Sequence, residues 1–184
     1  MSSLIKLETN QRVVFITDVH GCYEVFKLIC DNYYKSDVLF VILGDLVDRG
    51  NSSAEIFAVV LSMIIVYQNI IYLRGNHETQ AIQTNCDKFK KTISYWNYHD
   101  YMTKWDPFNG YKLLKLIYNF FGQLPYVLCI DEVFCIHGGL VEGFKKIDDY
   151  KTLKRVRQIY DCEKELQVVW NDPLFFYIPT HTSQ

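Results

Sequence analysis

The sequence predicts an α/β layered fold, a sheet packed between helices, and three observations predict it. Apolar, strand-like runs alternate with segments of helical spacing along the first half of the chain. The run "DVLFVIL" is almost wholly apolar, as a strand covered on both faces must be. Each such run also stops abruptly in a polar cluster beside a glycine. In open α/β sheets the sites lie there, beyond the carboxyl ends of the strands.

The elements follow in chain order. "VVFI" is a short β-branched strand that runs into the polar "TDVHG". "CYEVFKLICDNYY" has helical spacing, with Val25, Leu28 and Ile29 on one face. "DVLFVIL" is the second strand and opens into "GDLVDRG". "SSAEIFAVVLSMIIVY" reads as a helix, with Ser52 and Ser53 as N-caps and Glu55 in its first turn. Gln68 and Asn69 make a turn, and a third strand, "NIIY", stops at "LRGNHE". Farther on, "WDPFNG" from Trp105 to Gly110 reads as a turn. "YKLLKLIYNFFGQLP" is a helix stopped by Gly122 and Pro125. "YVLCIDEVFCIHGGL" is a hairpin that turns at Asp131 and Glu132. "KTLKRVRQIY" reads as a basic helical stretch with a solvated face.

Bulk properties narrow the function. A chain of 184 residues suits one domain over 1–184. With 49% apolar and 16% aromatic residues it can build a substantial core, which excludes intrinsic disorder. A net charge of -2 implies no bulk attraction to nucleic acid or to an anionic membrane. Ile56 to Leu73 is uncharged, yet its most apolar part, "IFAVVLSMIIVY", would span only about 18 Å as a helix. A hydrocarbon core of roughly 30 Å needs more, so a buried helix is expected. The six cysteines show no CxxC spacing, and "MSSLIKLETNQR" lacks the apolar core of a signal peptide. Reduced thiols, Cys22 packed among them, in an intracellular protein of the cytoplasm or nucleus are therefore expected.

Four loops carry the candidate chemistry: Asp18 and His20; Asp45, Asp48 and Arg49; Asn76, His77 and Glu78; and His137. Singly, each has a plain structural explanation, since Asp at a strand end caps helices and makes turns, and "HGG" is a tight turn. Together they present carboxylate, imidazole and amide groups beside Gly21, Gly44, Gly50, Gly75, Gly138 and Gly139. That donor mix suits divalent transition metals such as Mn, Fe or Zn. The near absence of cysteine from these loops disfavours a structural zinc site.

In this order, "DVHG", "GDLVDRG", "RGNHE" and "HGGL" resemble the signature of the calcineurin-like metallophosphoesterases. Within that superfamily they are most similar to the phosphoprotein phosphatase family of Ser/Thr phosphatases. Asp45 stands 27 residues after Asp18 and Asn76 stands 31 after Asp45, each interval fitting a helix and a strand. The gap of 61 residues to His137 suggests an insertion around Asn85 to Asn109. "VVWNDP", Val168 to Pro173, also resembles a family segment beyond the HGG loop.

The resemblance implies a β-sandwich flanked by helices and a Ser/Thr phosphoprotein phosphatase with two divalent metal ions and a metal-bound hydroxide. Asp18 and His20 would hold one metal, Asn76 and His137 the other, and Asp45 would bridge them. Arg49 would bind the phosphate. His77 would be the general acid, with Asp48 orienting it and keeping it cationic, and Glu78 would be structural. His99 lies outside the motifs.

The family supplies a further phosphate-binding Arg and a further metal-binding His beyond "WNDP", where this sequence offers only His181. A second sheet incomplete relative to the family is therefore expected, with a truncated carboxyl-terminal part. The resemblance leaves room for a regulatory or completing protein subunit. Two alternatives stay open: a catalytically impaired pseudophosphatase that binds a partner, and a phosphoesterase like the dinucleoside polyphosphate hydrolases.

Overall fold

The computed structural model describes residues 2–35, 37–79, 107–156, 159 and 162–171. Among them run six strands: β1 (Leu4–Leu7), β2 (Arg12–Ile16), β3 (Val38–Ile42), β4 (Ile70–Tyr72), β5 (Val127–Ile130) and β6 (Val133–Ile136). Four α-helices accompany them: α1 (Tyr23–Tyr33), α2 (Ser53–Ser62), α3 (Pro107–Phe121) and α4 (Glu163–Trp170). The strands form two three-stranded sheets, ordered β2-β3-β4 and β1-β5-β6. The first is parallel throughout; in the second, β1 runs parallel to β5 and β6 antiparallel to it.

Strand β3 shows how the layers arise. All five of its residues are buried, and a strand's period of two sends them to opposite sides. Val38, Phe40 and Ile42 pack with Phe26, Ile56, Phe57, Val60 and Phe121 from α1, α2 and α3. Leu39 and Val41 pack instead with Leu128, Ile130 and Cys135 of the facing sheet. The outer face of that second sheet is closed by Tyr150 of a 3-10 turn (Ile147–Thr152), Leu153, and Val168 and Val169 of α4. The result is helix, sheet, sheet and helix in four layers, the sandwich that the resemblance implied.

The apolar stretch from Ile56 to Leu73 divides as expected. Helix α2 passes into a π-helical turn (Met63–Tyr67), which ends at Gln68 in the left-handed conformation, φ +55°. Strand β4 follows at once. Among the described residues no helix is long and apolar enough to cross a membrane.

Several local expectations are corrected. Strand β1 was not foreseen, because "LIKL" is too short to show a period; its pairing with β5 makes it a strand. In α1 the inward residues are Phe26, Ile29 and Cys30, whereas Val25 and Leu28 are 50% and 63% exposed. The large Phe26 ring sets the rotation of the helix. Helix α3 begins at Pro107, so Pro107 to Gly110 form its first turn rather than a loop; Pro suits that position, where no N–H is needed. Among its described residues the basic stretch forms no α-helix: Lys151 and Thr152 finish the 3-10 turn and Leu153 is extended. Ser52 is the N-cap of α2 by position but makes no side-chain capping bond. Cys22 is exposed rather than packed. The expected insertion, apart from its last helical residues, lies outside the described residues, as do Cys86, His99, Asp172, Pro173 and His181.

Candidate metal centre

Parallel pairing sets the carboxyl ends of β2, β3 and β4 side by side, and β6 of the facing sheet ends at the same rim. His137 marks the meeting point: its Nδ1–H donates to the Leu43 carbonyl just beyond β3, at 3.0 Å. The first two loops are zipped together by backbone bonds. His20 N–H reaches Asp45 O at 2.9 Å, Gly21 N–H reaches Leu46 O at 3.0 Å, and Gly50 N–H reaches His20 O at 2.8 Å.

These loops are strained. Asp18, His20, Asp45, Asp48 and Arg49 all take positive φ, from +47° to +72°. Such a conformation costs an L-residue about 1–2 kcal/mol, and it persists only where surrounding bonds over-determine it. Gly44, at φ +116°, occupies a conformation other residues rarely adopt. Gly75 has a different reason to be glycine. A Cβ there would lie 2.3 Å from Asp45 Oδ1 and 2.8 Å from Glu78 Oε2.

Glu78 is fully buried and ties the second loop to the third. Its Oε2 accepts the N–H groups of Asp45 and Gly75, both at 2.9 Å. Its Oε1 accepts from Leu46 N–H at 3.0 Å and from the Tyr72 hydroxyl at 2.8 Å. Burial, helped by the charge of Asp45, pushes its carboxyl group up from the ordinary value, against the bonds from Asp45 N–H and the Tyr72 hydroxyl. The structural role expected for Glu78 is thus given a definite form.

Asp45 stands at the centre, 2% exposed. Its Oδ2 lies 3.5 Å from His20 Nε2, and its Oδ1 lies 3.4 Å from His137 Nε2. Burial works against its ionisation, but the hydrogen bond from His137 and the neighbouring imidazoles hold it below the usual carboxylate range. Burial also opposes the His137 cation, yet the bond and charge of Asp45 outweigh it and push the imidazole up to about 9.

All five predicted ligands come together. Ligand atoms of Asp18, Asp45 and His137 lie within 4.8 Å of one another, as do those of His20, Asp45 and His77. Asn76 Oδ1 is 2.9 Å from His137 Nε2. Asp45 therefore belongs to both sets, and Asp18 Oδ1 also lies 3.8 Å from His20 Nε2. The donors fit a divalent cation. His20 donates Nδ1–H to the Val47 carbonyl at 3.1 Å, which turns the Nε2 lone pair inward. That Nε2 is buried and has no hydrogen-bond partner among the described residues. A buried polar atom left so is costly, and a bound cation would remove the cost.

The predicted catalytic groups are placed around this centre. His77 is 1% exposed, and its Nδ1 meets Asp48 Oδ2 at 2.9 Å. Its ring stands edge-on to that of His20, with centroids 4.7 Å apart. Burial pushes the His77 pKa down despite the nearby carboxylates. The Asp48 contact fixes the orientation of this imidazole. Arg49 is exposed. Two supports escaped the sequence reading: Ser53 Oγ, which accepts Asp48 N–H at 2.9 Å, and the buried Arg74. Arg74 stands within "YLRGNHE", so its position was visible but its direction was not.

The calcineurin-like phosphoesterase family pattern matches residues 11–183. A "Probable serine/threonine-protein phosphatase" of Encephalitozoon cuniculi is 28% identical over 173 residues, 93% of this chain and 36% of that protein. The chain thus spans about a third of the curated relative's length. A Saccharomyces cerevisiae protein serine/threonine phosphatase with similarity to human phosphatase PP5 superposes with a TM-score of 0.76. It is 24% identical and is covered over 54% of its length, with 94% of this chain. A candidate diadenosine tetraphosphatase gives a TM-score of 0.52 at 19% identity, over 80% of this chain and 59% of its own. These structural likenesses concern the fold. With the pattern spanning nearly all of the sequence and the four loops converging on Asp45, the chain belongs to the calcineurin-like phosphoesterase family.

Proposed function

We propose that this chain carries a metal-dependent phosphomonoesterase centre acting on phosphoserine and phosphothreonine in proteins. The observation that carries the proposal is Asp45, whose two oxygens face different imidazoles at 3.5 and 3.4 Å. Asp18, His20, Asp45, Asn76 and His137 would hold two divalent cations, Mn, Fe or Zn by donor type, with Asp45 shared. When bound, such a pair neutralises phosphoryl charge and makes a water nucleophilic at neutral pH.

The chain's own residues supply the rest. The planar fork of Arg49 matches two phosphoryl oxygens. His77, oriented by Asp48 through Nδ1, turns its Nε2 inward, 3.9 Å from Asp45 Oδ2. As a cation it donates the Nε2 proton to the departing Ser or Thr oxygen. Its lowered pKa makes the cation rarer at rest and a stronger acid once formed. A regulatory or completing subunit belongs to the same proposal.

The test is phosphate release by the purified chain with added Mn, from a phosphopeptide and from a dinucleoside polyphosphate, beside Asp45→Asn. Release from the phosphopeptide that Asp45→Asn abolishes supports the reading. Equal rates in the two proteins overturn it, and turnover of the dinucleotide alone reassigns the substrate.

A further inference from the structure

Arg74 precedes the loop that presents Asn76 and His77, and its side chain is fully buried. Its Nε–H donates to the carbonyl of Glu78 at 3.0 Å. In the opposite sense, the Glu78 carboxylate accepts the N–H of Gly75 at 2.9 Å. Each end of the loop therefore grips the other, and Gly75, Asn76 and His77 lie inside a closed frame.

The two ends are anchored to different bodies. Glu78 holds the Asp45–Leu46 backbone of the first sheet's loop. Arg74 reaches the other way: Nη1 meets the Tyr126 hydroxyl at 3.1 Å and the Val156 carbonyl, and its backbone N–H meets Pro125 O at 2.8 Å. Tyr126 leads into β5, which pairs with β6, and β6 delivers His137. The guanidinium thus connects the loop carrying Asn76 to the sheet carrying His137, and those two side chains meet at 2.9 Å.

We propose that Arg74 is a positioning residue, one that sets Asn76 and His77 in register with His137. A planar guanidinium is required, because three acceptors in three directions cannot be met by the single point charge of a lysine. The kinetic part of this inference rests on the proposed phosphatase reading; the geometric part does not.

Arg74→Lys tests it in the full chain, with Mn and p-nitrophenyl phosphate as substrate. Met63→Ala serves as a control, a buried site in the π-helical turn that follows α2. Small misplacements of reacting groups cost roughly 100-fold in rate. Arg74→Lys is expected to lower kcat by about tenfold or more with KM within about twofold. Met63→Ala should lose melting temperature comparably and keep its kcat. Metal-free protein labelled with 15N-histidine supplies a readout independent of turnover. His77 should show a single Nδ1–H tautomer in the wild type and an averaged signal in Arg74→Lys. Tyr126→Phe, which keeps the Glu78 contact, should move both readouts part of the way, and it carries the comparison if Arg74→Lys does not fold. Histidine signals that coincide across wild type and variants overturn the proposal, as does a kcat that merely follows stability. A wild type that releases no phosphate defeats the phosphatase reading alone, and the histidine signals then decide.

Discussion

The backbone N–H of His77 donates to Oδ1 of Asp45 at 2.9 Å, joining two loops at the carboxylate that serves both donor sets. Position and charge at the centre are therefore coupled. A change at Asp45 disturbs the donors and also the loop that places His77.

Asp45→Asn separates these effects, because the amide oxygen can still accept the His77 N–H while the charge is lost. Mn affinity, read by titration calorimetry, is expected to fall by roughly 100-fold or more, since altering even the groups behind a ligand costs 10–100-fold. Thermal melting without metal should change far less. Unchanged Mn affinity would remove Asp45 from the metal centre.

Glu78→Gln replaces one carboxylate oxygen by an NH2 group where two donors already point. Buried donors left without acceptors cost about 1–3 kcal/mol each. A stability loss of about 2–4 kcal/mol is expected in urea denaturation on that basis. A loss below about 1 kcal/mol would show that the clamp relaxes freely.

Gly75→Ala introduces a methyl group into the space held by Asp45 Oδ1 and Glu78 Oε2. The neighbours there are two hydrogen-bonded carboxylate oxygens and the Asp45 backbone nitrogen, which cannot swing aside as the end of a flexible side chain could. Overpacking of this kind costs about 1–3 kcal/mol. Mn binding is expected to weaken more than the melting temperature suggests, because the displaced atom belongs to Asp45, the proposed shared ligand.

Tyr126 provides a dependence on pH. Burial pushes its hydroxyl up to about 12 from an ordinary 10, against the pull of Arg74. The unfolded chain ionises this phenol first, so its contribution is complete below pH 10 and is lost as pH rises toward 12. A shift of this size corresponds to about 2–3 kcal/mol in total. Comparing urea curves at pH 9 and pH 11, the wild type should lose about 1 kcal/mol more than Tyr126→Phe. Parallel losses in the two proteins would contradict the assignment.

Much of this arrangement was legible in the order of residues. The apolar runs at β2, β3 and β4, and the polar clusters that end them, are local patterns of period and punctuation. The four loops that hold the candidate site residues meet at one rim. Local pattern failed where a segment owes its state to a distant partner. "LIKL" is a strand through β5, and Phe26 rather than Val25 or Leu28 faces the core that α2 and α3 complete.

The sequence by itself determined the α/β succession and the donor types, because a side chain carries its own chemistry and its own neighbours along the chain. Only the tertiary structure decided which groups meet. Asp45 faces His137, 92 residues away in the sequence, and Arg74 faces Tyr126, 52 residues away. Those pairings depend on the order of the strands and on how one sheet lies over the other. Burial acted at the same level. It lowered His77, raised Glu78, and left His20 Nε2 facing a carboxylate rather than a hydrogen-bond donor.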